Sequence, residues 1–200
     1  MGSEKAYIEG IINGEKWAFK AIFLQHYEQL CNFCWRYTRS KAVSEDLVQE
    51  TFGDLWDLKE TLNPNKSLKV YLYQAVKNKG YDYLAHQKVV RKYEADQNHS
   101  SNEVIHQKKI TQENTAFIKA ARQAIDALPQ RAQQVYILHR QDGLTYREIA
   151  EVMDITVKTV ESQMSRALDI LRSRLRNRFP DQVTERTIAK IFSIRDTGTD

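Results

Sequence analysis

The chain has little proline, glycine or cysteine: three, seven and two among its 200 residues. So few turn formers argue against a turn-rich β fold and favour long helices. No run of eighteen or more apolar residues occurs, so no membrane span is expected. The start, MGSEKAYIEG, lacks the apolar core and cleavage site of a secretory signal, and Ala6 stands where N-myristoylation requires Ser or Thr. Two cysteines without an export signal fit the reducing cytoplasm, the expected compartment. Also missing are a Gly-rich phosphate loop, a His-Glu metal motif and a nucleophile elbow. The expectation is therefore a protein that is not an enzyme, with no catalytic residue, cofactor or small-molecule substrate.

Charge is present in blocks. Residues 45–60 carry Glu45, Asp46, Glu50, Asp54, Asp57 and Glu60 against Lys59 alone. Residues 66–92 reverse the sign, with Lys66, Lys69, Lys77, Lys79, Lys88, Arg91 and Lys92 against Asp82 alone. Arg166, Arg172, Arg174, Arg176 and Arg178 follow near the end. Basic blocks beside an acidic one point to a polyanion on one surface and a different partner on another.

Helical periodicity dominates. Phe23, Tyr27, Leu30, Cys31, Cys34 and Trp35 form one stripe between Glu15 and Tyr37. A second helix is expected from Ser44, as cap, to Leu58, burying Val48, Phe52, Leu55 and Trp56. After the loop NPNKS a third runs from Leu68 towards Lys88. Residues 90–114 turn polar and read as a linker. Periodicity returns in a helix ended by Pro129 and another ended by QDG. The expected fold is all-α: two small helical domains joined by a flexible linker, the second containing a helix-turn-helix. The boundaries are 1–92, a linker at 93–115, 116–178, and a tail at 179–200. The tail either packs back as a short amphipathic helix, binds a partner or stays disordered.

Residues 144–171, LTYREIAEVMDITVKTVESQMSRALDIL, are the most informative. Thr145 with Glu148 forms a capping box. Ala150 allows a close helix crossing, Asp154 tolerates a left-handed turn, and Thr156 caps the next helix. Val157, Val160, Met164, Leu168 and Leu171 are expected on its buried stripe, so Lys158, Thr159, Ser162, Ser165 and Arg166 project outwards. Small hydroxyls flanked by cations suit a recognition helix in the major groove. In the third helix Tyr71, Tyr73, Tyr81 and Tyr83 alternate with Lys69, Lys77 and Lys79, and aromatic faces with cations suit single-stranded DNA. Asp46, Gln49 and Glu50 share a helix face able to meet a cationic partner helix.

Two segments together give a family resemblance. AIDALPQRAQQVYILHRQDGLTYREIAEVMDITVKTVESQMSRAL resembles the C-terminal domain of extracytoplasmic-function (ECF) sigma factors, and SEDLVQETFGDLWDLKETLNPNKSLKVYLYQAVKNKGYDYLAHQK resembles their N-terminal domain. The resemblance spans about residues 15–92 and 116–175. It implies that the N-terminal domain binds the polymerase clamp and recognises and melts the −10 element. Asp46, Gln49 and Glu50 would then dock on the clamp coiled coil of core RNA polymerase. Asn78 would read a flipped −10 base and Tyr71 would stand at the aromatic position. Lys66, Lys69, Lys77 and Tyr81 would support the single strand, with 62–68 as the specificity loop. In the C-terminal domain Glu161, Ser162, Ser165 and Arg166, with Lys158 and Thr159, would meet the −35 element of promoter DNA. A further implied partner is an anti-sigma factor, commonly membrane-anchored in the family. The competing reading is a stand-alone helix-turn-helix repressor or activator on a palindromic duplex. An RNA-binding adaptor using 66–92 is another.

The Cys-x-x-Cys at 31–34 lacks the four ligands of a structural zinc site and the exposed helix N-terminus of a redox pair. Both cysteines are expected to pack in the core.

Overall fold

The computed structural model describes residues 4–93 and 112–179. Among them are eight α-helices, one 3-10 turn and no strand, gathered in two compact units that divide near residue 100. The all-α expectation holds. The linker reading falls largely on 94–111 and the tail reading on 180–200, outside the described residues.

The first unit contains α1 (Glu4–Ile12), α2 (Lys16–Thr38), α3 (Lys41–Asp57), a 3-10 turn at Lys59–Thr61 and α4 (Leu68–Tyr93). Helix α2 packs against α1, α3 and α4, so its buried arc is wide. That arc is Ala18, Ile22, His26, Leu30, Phe33, Cys34 and Thr38. The expected stripe shares only Leu30 and Cys34 with it. Phe23, Tyr27, Cys31 and Trp35 are half-buried along its margin, where Phe23 still meets Phe52 with ring centroids 4.9 Å apart. Helix α1, which sequence reasoning missed, lies so close to α2 that a Cβ at Gly10 would stand 2.7 Å from Ala18 Cβ.

Helix α3 begins earlier than expected. Ser40, not Ser44, is its cap, accepting from the Val43 N–H at 3.4 Å. Ser44 is buried one turn later, donating to the Ser40 carbonyl at 2.7 Å and pairing with Thr38 Oγ1 at 2.7 Å. Gly53 sits mid-helix and exposed, and a Cβ there would meet nothing within 4 Å. Glycine costs a helix interior about 1 kcal/mol relative to alanine. Gly53→Ala is therefore expected to raise the melting temperature of this unit by about 4–8 °C. An unchanged melt would show that position 53 is not limited by helix propensity.

Burial sets the titration of His26. Its Nδ1 is buried without a hydrogen-bond partner among the described residues, and its pKa falls to about 4, first through burial and then through the Lys69 cation, with Glu4 opposing. The unfolded imidazole takes its proton near 6.5, the folded one only near 4. Stability from this group is thus complete above about 6.5 and lost as pH falls towards 4. Melts at pH 7 and pH 5 should show a smaller acid loss for His26→Leu than for the unaltered chain.

The second unit contains α5 (Gln112–Asp126), α6 (Gln130–Arg140), α7 (Tyr146–Met153) and α8 (Val157–Arg178). Helix α5 starts four residues before the expected boundary at 116. Helix α8 packs on the other three, with Val160, Met164, Ala167, Leu171 and Leu175 buried. Two residues of the expected stripe are displaced: Leu168 is half-buried and Val157 is 38% exposed. The small Ala167 carries the stripe instead, because α8 must meet α5 and α6 as well as α7.

Candidate nucleic-acid interface

The helix-turn-helix forms from local signals. Thr145 Oγ1 accepts from the Glu148 N–H at 3.3 Å, and Glu148 Oε2 accepts from the Thr145 N–H at 2.7 Å. This reciprocal box fixes the start of α7. Asp154 ends α7 with φ 55° and ψ 53°, the left-handed backbone expected there. The Ile155 N–H then returns to the Ala150 carbonyl at 3.0 Å. Thr156 Oγ1 accepts from the Thr159 N–H at 3.1 Å and opens α8.

On an ideal helix Lys158, Ser162, Ser165 and Arg166 fall within an arc of about 100°, flanked by Glu161 and Thr159. Lys158, Glu161, Ser162, Ser165 and Arg166 are exposed, and Lys158 and Arg166 form no ion pair among the described residues. Thr159 is half-buried and its hydroxyl lies 2.8 Å from Thr156 Oγ1, so it serves the cap. Two uncommitted cations among two small hydroxyls leave room for a duplex backbone and for a side chain reaching base edges.

The outer face of α4 is different. Tyr71, Gln74, Asn78 and Tyr81, at i, i+3, i+7 and i+10, lie within an arc of about 80°, with Lys77 at its edge. Asn78 is exposed and its amide makes no hydrogen bond among the described residues. Tyr81 is 49% exposed and rests edge-on against Tyr37 at 5.1 Å, which fixes its ring. Tyr71 is half-buried, and burial followed by the Asp54 carboxylate pushes its hydroxyl pKa up, leaving a neutral ring. Tyr73, by contrast, is fully buried against Phe33.

The lysines divide. Lys66 is exposed in the loop before α4, and Lys77 is half-buried beside the aromatic face. Lys69 lies about 180° from Asn78 around α4, towards His26, so the fold does not bring it to that face. Lys79 turns to α3, where its Nζ lies 2.5 Å from Glu50 Oε1 and 2.9 Å from Asp54 Oδ2. These carboxylates raise its pKa against the opposing effect of burial. Sequence spacing gave no signal for this bridge between α3 and α4, because its partners are far apart in the chain.

On α3, Asp46, Gln49 and Glu50 are exposed on one face. Asp46 makes no ion pair among the described residues, Gln49 Nε2 donates to Tyr27 Oη at 3.3 Å, and Glu50 holds Lys79. The same face continues past Gly53 into an open depression of about 370 Å³ lined by Lys16, Phe19, Phe52, Gly53, Trp56 and Asp57.

Cys34 is buried, and burial lifts its thiol pKa to about 11; Cys31, half-buried beside Tyr27, is also raised, chiefly by burial. Both thiols are therefore protonated near neutrality. Cys34 is a core residue as expected, whereas Cys31 sits only at the core's margin.

Comparison with known proteins fits this geometry. Residues 22–89 match the family described as Sigma-70 region 2, and residues 118–171 match Sigma-70, region 4, together more than half of the chain. The chain is 26% identical over 184 residues to the ECF RNA polymerase sigma-E factor of Escherichia coli K12, covering 86% of this chain and 94% of that protein. It is 22% identical over 173 residues to the RNA polymerase sigma factor YlaC of Bacillus subtilis, covering 81% and 95%. Among solved structures the fold is similar to CnrH in complex with the cytosolic domain of CnrY (TM-score 0.59, 20% identity, 87% of this chain and 97% of that one). It is also similar to the sigma factor RpoE in complex with the anti-sigma factor NepR from Bartonella quintana (TM-score 0.62, 20% identity, 79% and 96%). A region-2 unit followed by a region-4 helix-turn-helix, with ECF relatives along nearly their whole length, identifies the chain as a member of the extracytoplasmic-function sigma factor family, which binds RNA polymerase and promoter DNA to initiate transcription.

Proposed function

We propose that the two units divide promoter recognition between them. The unit within 116–178 reads the −35 duplex through the outer face of α8. Lys158 meets phosphate, Ser162 and Ser165 permit close approach, and Arg166 reaches a base edge or phosphate. The unit within 1–92 holds the melted −10 strand along α4. There Asn78 offers a donor and an acceptor to a flipped base, while Tyr71 and Tyr81 supply stacking faces. Lys66 and Lys77 neutralise phosphate, and Lys69 acts away from this face. Residues 62–68 form the specificity loop.

Core RNA polymerase docks on the outer face of α3. Asp46, which makes no ion pair among the described residues, supplies a carboxylate there, and Glu50 is shared between the partner and Lys79. The protein works in the cytoplasm and makes or breaks no covalent bond itself. An anti-sigma factor is a further partner in this reading, which is supported by the complex of RpoE with NepR.

The observation that carries this reading is the uncommitted Asn78 amide on the same exposed face as Tyr71 and Tyr81. Run-off transcription from fragmented genomic DNA, with core polymerase and with or without this protein, tests it. Discrete new starts that depend on the protein, and that align on two common elements, are expected. Binding to a palindromic duplex without polymerase and without new starts would instead indicate a free-standing regulator.

A further inference from the structure

The start of α4 is held from outside its own segment. Every helix leaves its first N–H groups without an intrahelical acceptor. Here two side chains take three of them. Ser67 Oγ accepts from the Val70 N–H at 3.4 Å. Glu4, on α1, places Oε1 at 2.8 Å from the Leu68 N–H and 3.3 Å from the Lys69 N–H. The same oxygen accepts from Ser67 Oγ at 3.3 Å. A carboxylate at this end also suits the positive pole of the helix dipole.

What precedes that turn gives the contact a consequence. Between Leu62 and Lys66 the hydrogen bonds are local: Leu62 N–H to the Lys59 carbonyl at 3.2 Å, Asn65 N–H to Asn63 Oδ1 at 2.9 Å and Lys66 N–H to the Asn63 carbonyl at 3.0 Å. Asn63, Asn65 and Lys66 are exposed, whereas Leu62, Pro64 and Ser67 are half-buried. Its exit is set where Ser67 is gripped by Glu4. Helix α1 lies outside the residues that match region 2, which begin at 22. A cap supplied by Ser67 alone would suffice to start a helix. The additional grip fixes the loop relative to α1 and α2 as well as to α4.

We propose that Glu4 is a positioning residue for promoter selection: its carboxylate holds the 62–67 loop and the first turn of α4 in the orientation that discriminates −10 bases. This rests on the reading of 62–68 as the specificity loop. Glu4 touches no DNA in this account; it acts through Ser67, Leu68 and Lys69.

The test uses holoenzyme assembled from the full chain and core polymerase, on a promoter found by run-off transcription and on a set carrying single −10 substitutions. Glu4→Ala should reduce the preference for the correct −10 bases roughly tenfold, in keeping with the loss of a helix cap. Core binding should stay within about twofold, because α3 is untouched. Glu4→Gln keeps an acceptor oxygen on the same stem and should restore most of the discrimination. If Glu4→Ala lowers the melting temperature but selects among −10 variants as the unaltered chain does, the cap is structural only and the proposal fails. A parallel fall in core binding and selection would also overturn it, as general damage to the unit. Ala replacements at Asn63, Asn65 and Lys66 test the underlying reading separately. If they too leave selection unchanged, the loop itself is not the discriminating element.

Discussion

Asn78→Ala is expected to slow promoter opening by roughly 10–100-fold, the equivalent of about 1–3 kcal/mol for a lost two-point base contact. Holoenzyme formation should be unaffected, since Asp46, Gln49 and Glu50 lie on α3 and keep their surroundings. The size follows from the chemistry of an amide. It presents a donor and an acceptor together, and a base edge that loses both in a closed site is left unpaired. Asn78→Asp keeps an acceptor but loses the donor and adds charge near phosphate, so it should not rescue. Permanganate reactivity of unpaired thymines, with core binding measured in parallel, separates the two steps. Normal reactivity in Asn78→Ala would remove this residue from base reading.

Arg166→Ala should act on an earlier step, weakening binding to duplex promoter DNA by about 1–3 kcal/mol if the guanidinium meets a base. A phosphate contact would show differently, with loss across all upstream sequences and a salt dependence shallower by about one unit. Arg166 is exposed on α8, and its replacement leaves the buried Val160, Met164 and Ala167 in place. The fold should therefore be retained. Binding titrations at several salt concentrations, on the native and a base-substituted upstream element, decide between the two. Unchanged affinity on both would take Arg166 off the DNA surface.

The parts legible in the sequence were those whose physics is local. The capping box at Thr145, the left-handed Asp154 and the Thr156 cap each involve residues within a few positions, and each appears in the structure as read. Features whose partners are distant in the chain leave no such local signal. The buried arc of α2 could not be phased because three helices share it, and its rim aromatics resemble a core stripe. Ser40 and Ser44 are equally good caps by type. What assigns them is the Thr38 hydroxyl, which takes Ser44. Lys69, Lys77 and Lys79 look alike in a basic run, yet the carboxylates of α3 draw Lys79 inwards and the helix turn carries Lys69 to the other side. Helix α1 is short, and its contribution to α4 comes through Glu4 from more than sixty residues away.

The close approach of α1 and α2 at Gly10 limits how this chain can drift over generations. A methyl group at position 10 would collide with the Ala18 side chain, and α1 would have to swing outwards to admit it. Such a swing would draw Glu4 off the Leu68 and Lys69 amides. Lys5 and Glu9, an exposed pair one turn apart, are freer to vary because more than half of each side chain faces solvent. Position 10 is not. Its tolerance would then be set by promoter choice, and a lineage that changed it would be expected to carry compensating replacements at 18 or in the loop before α4.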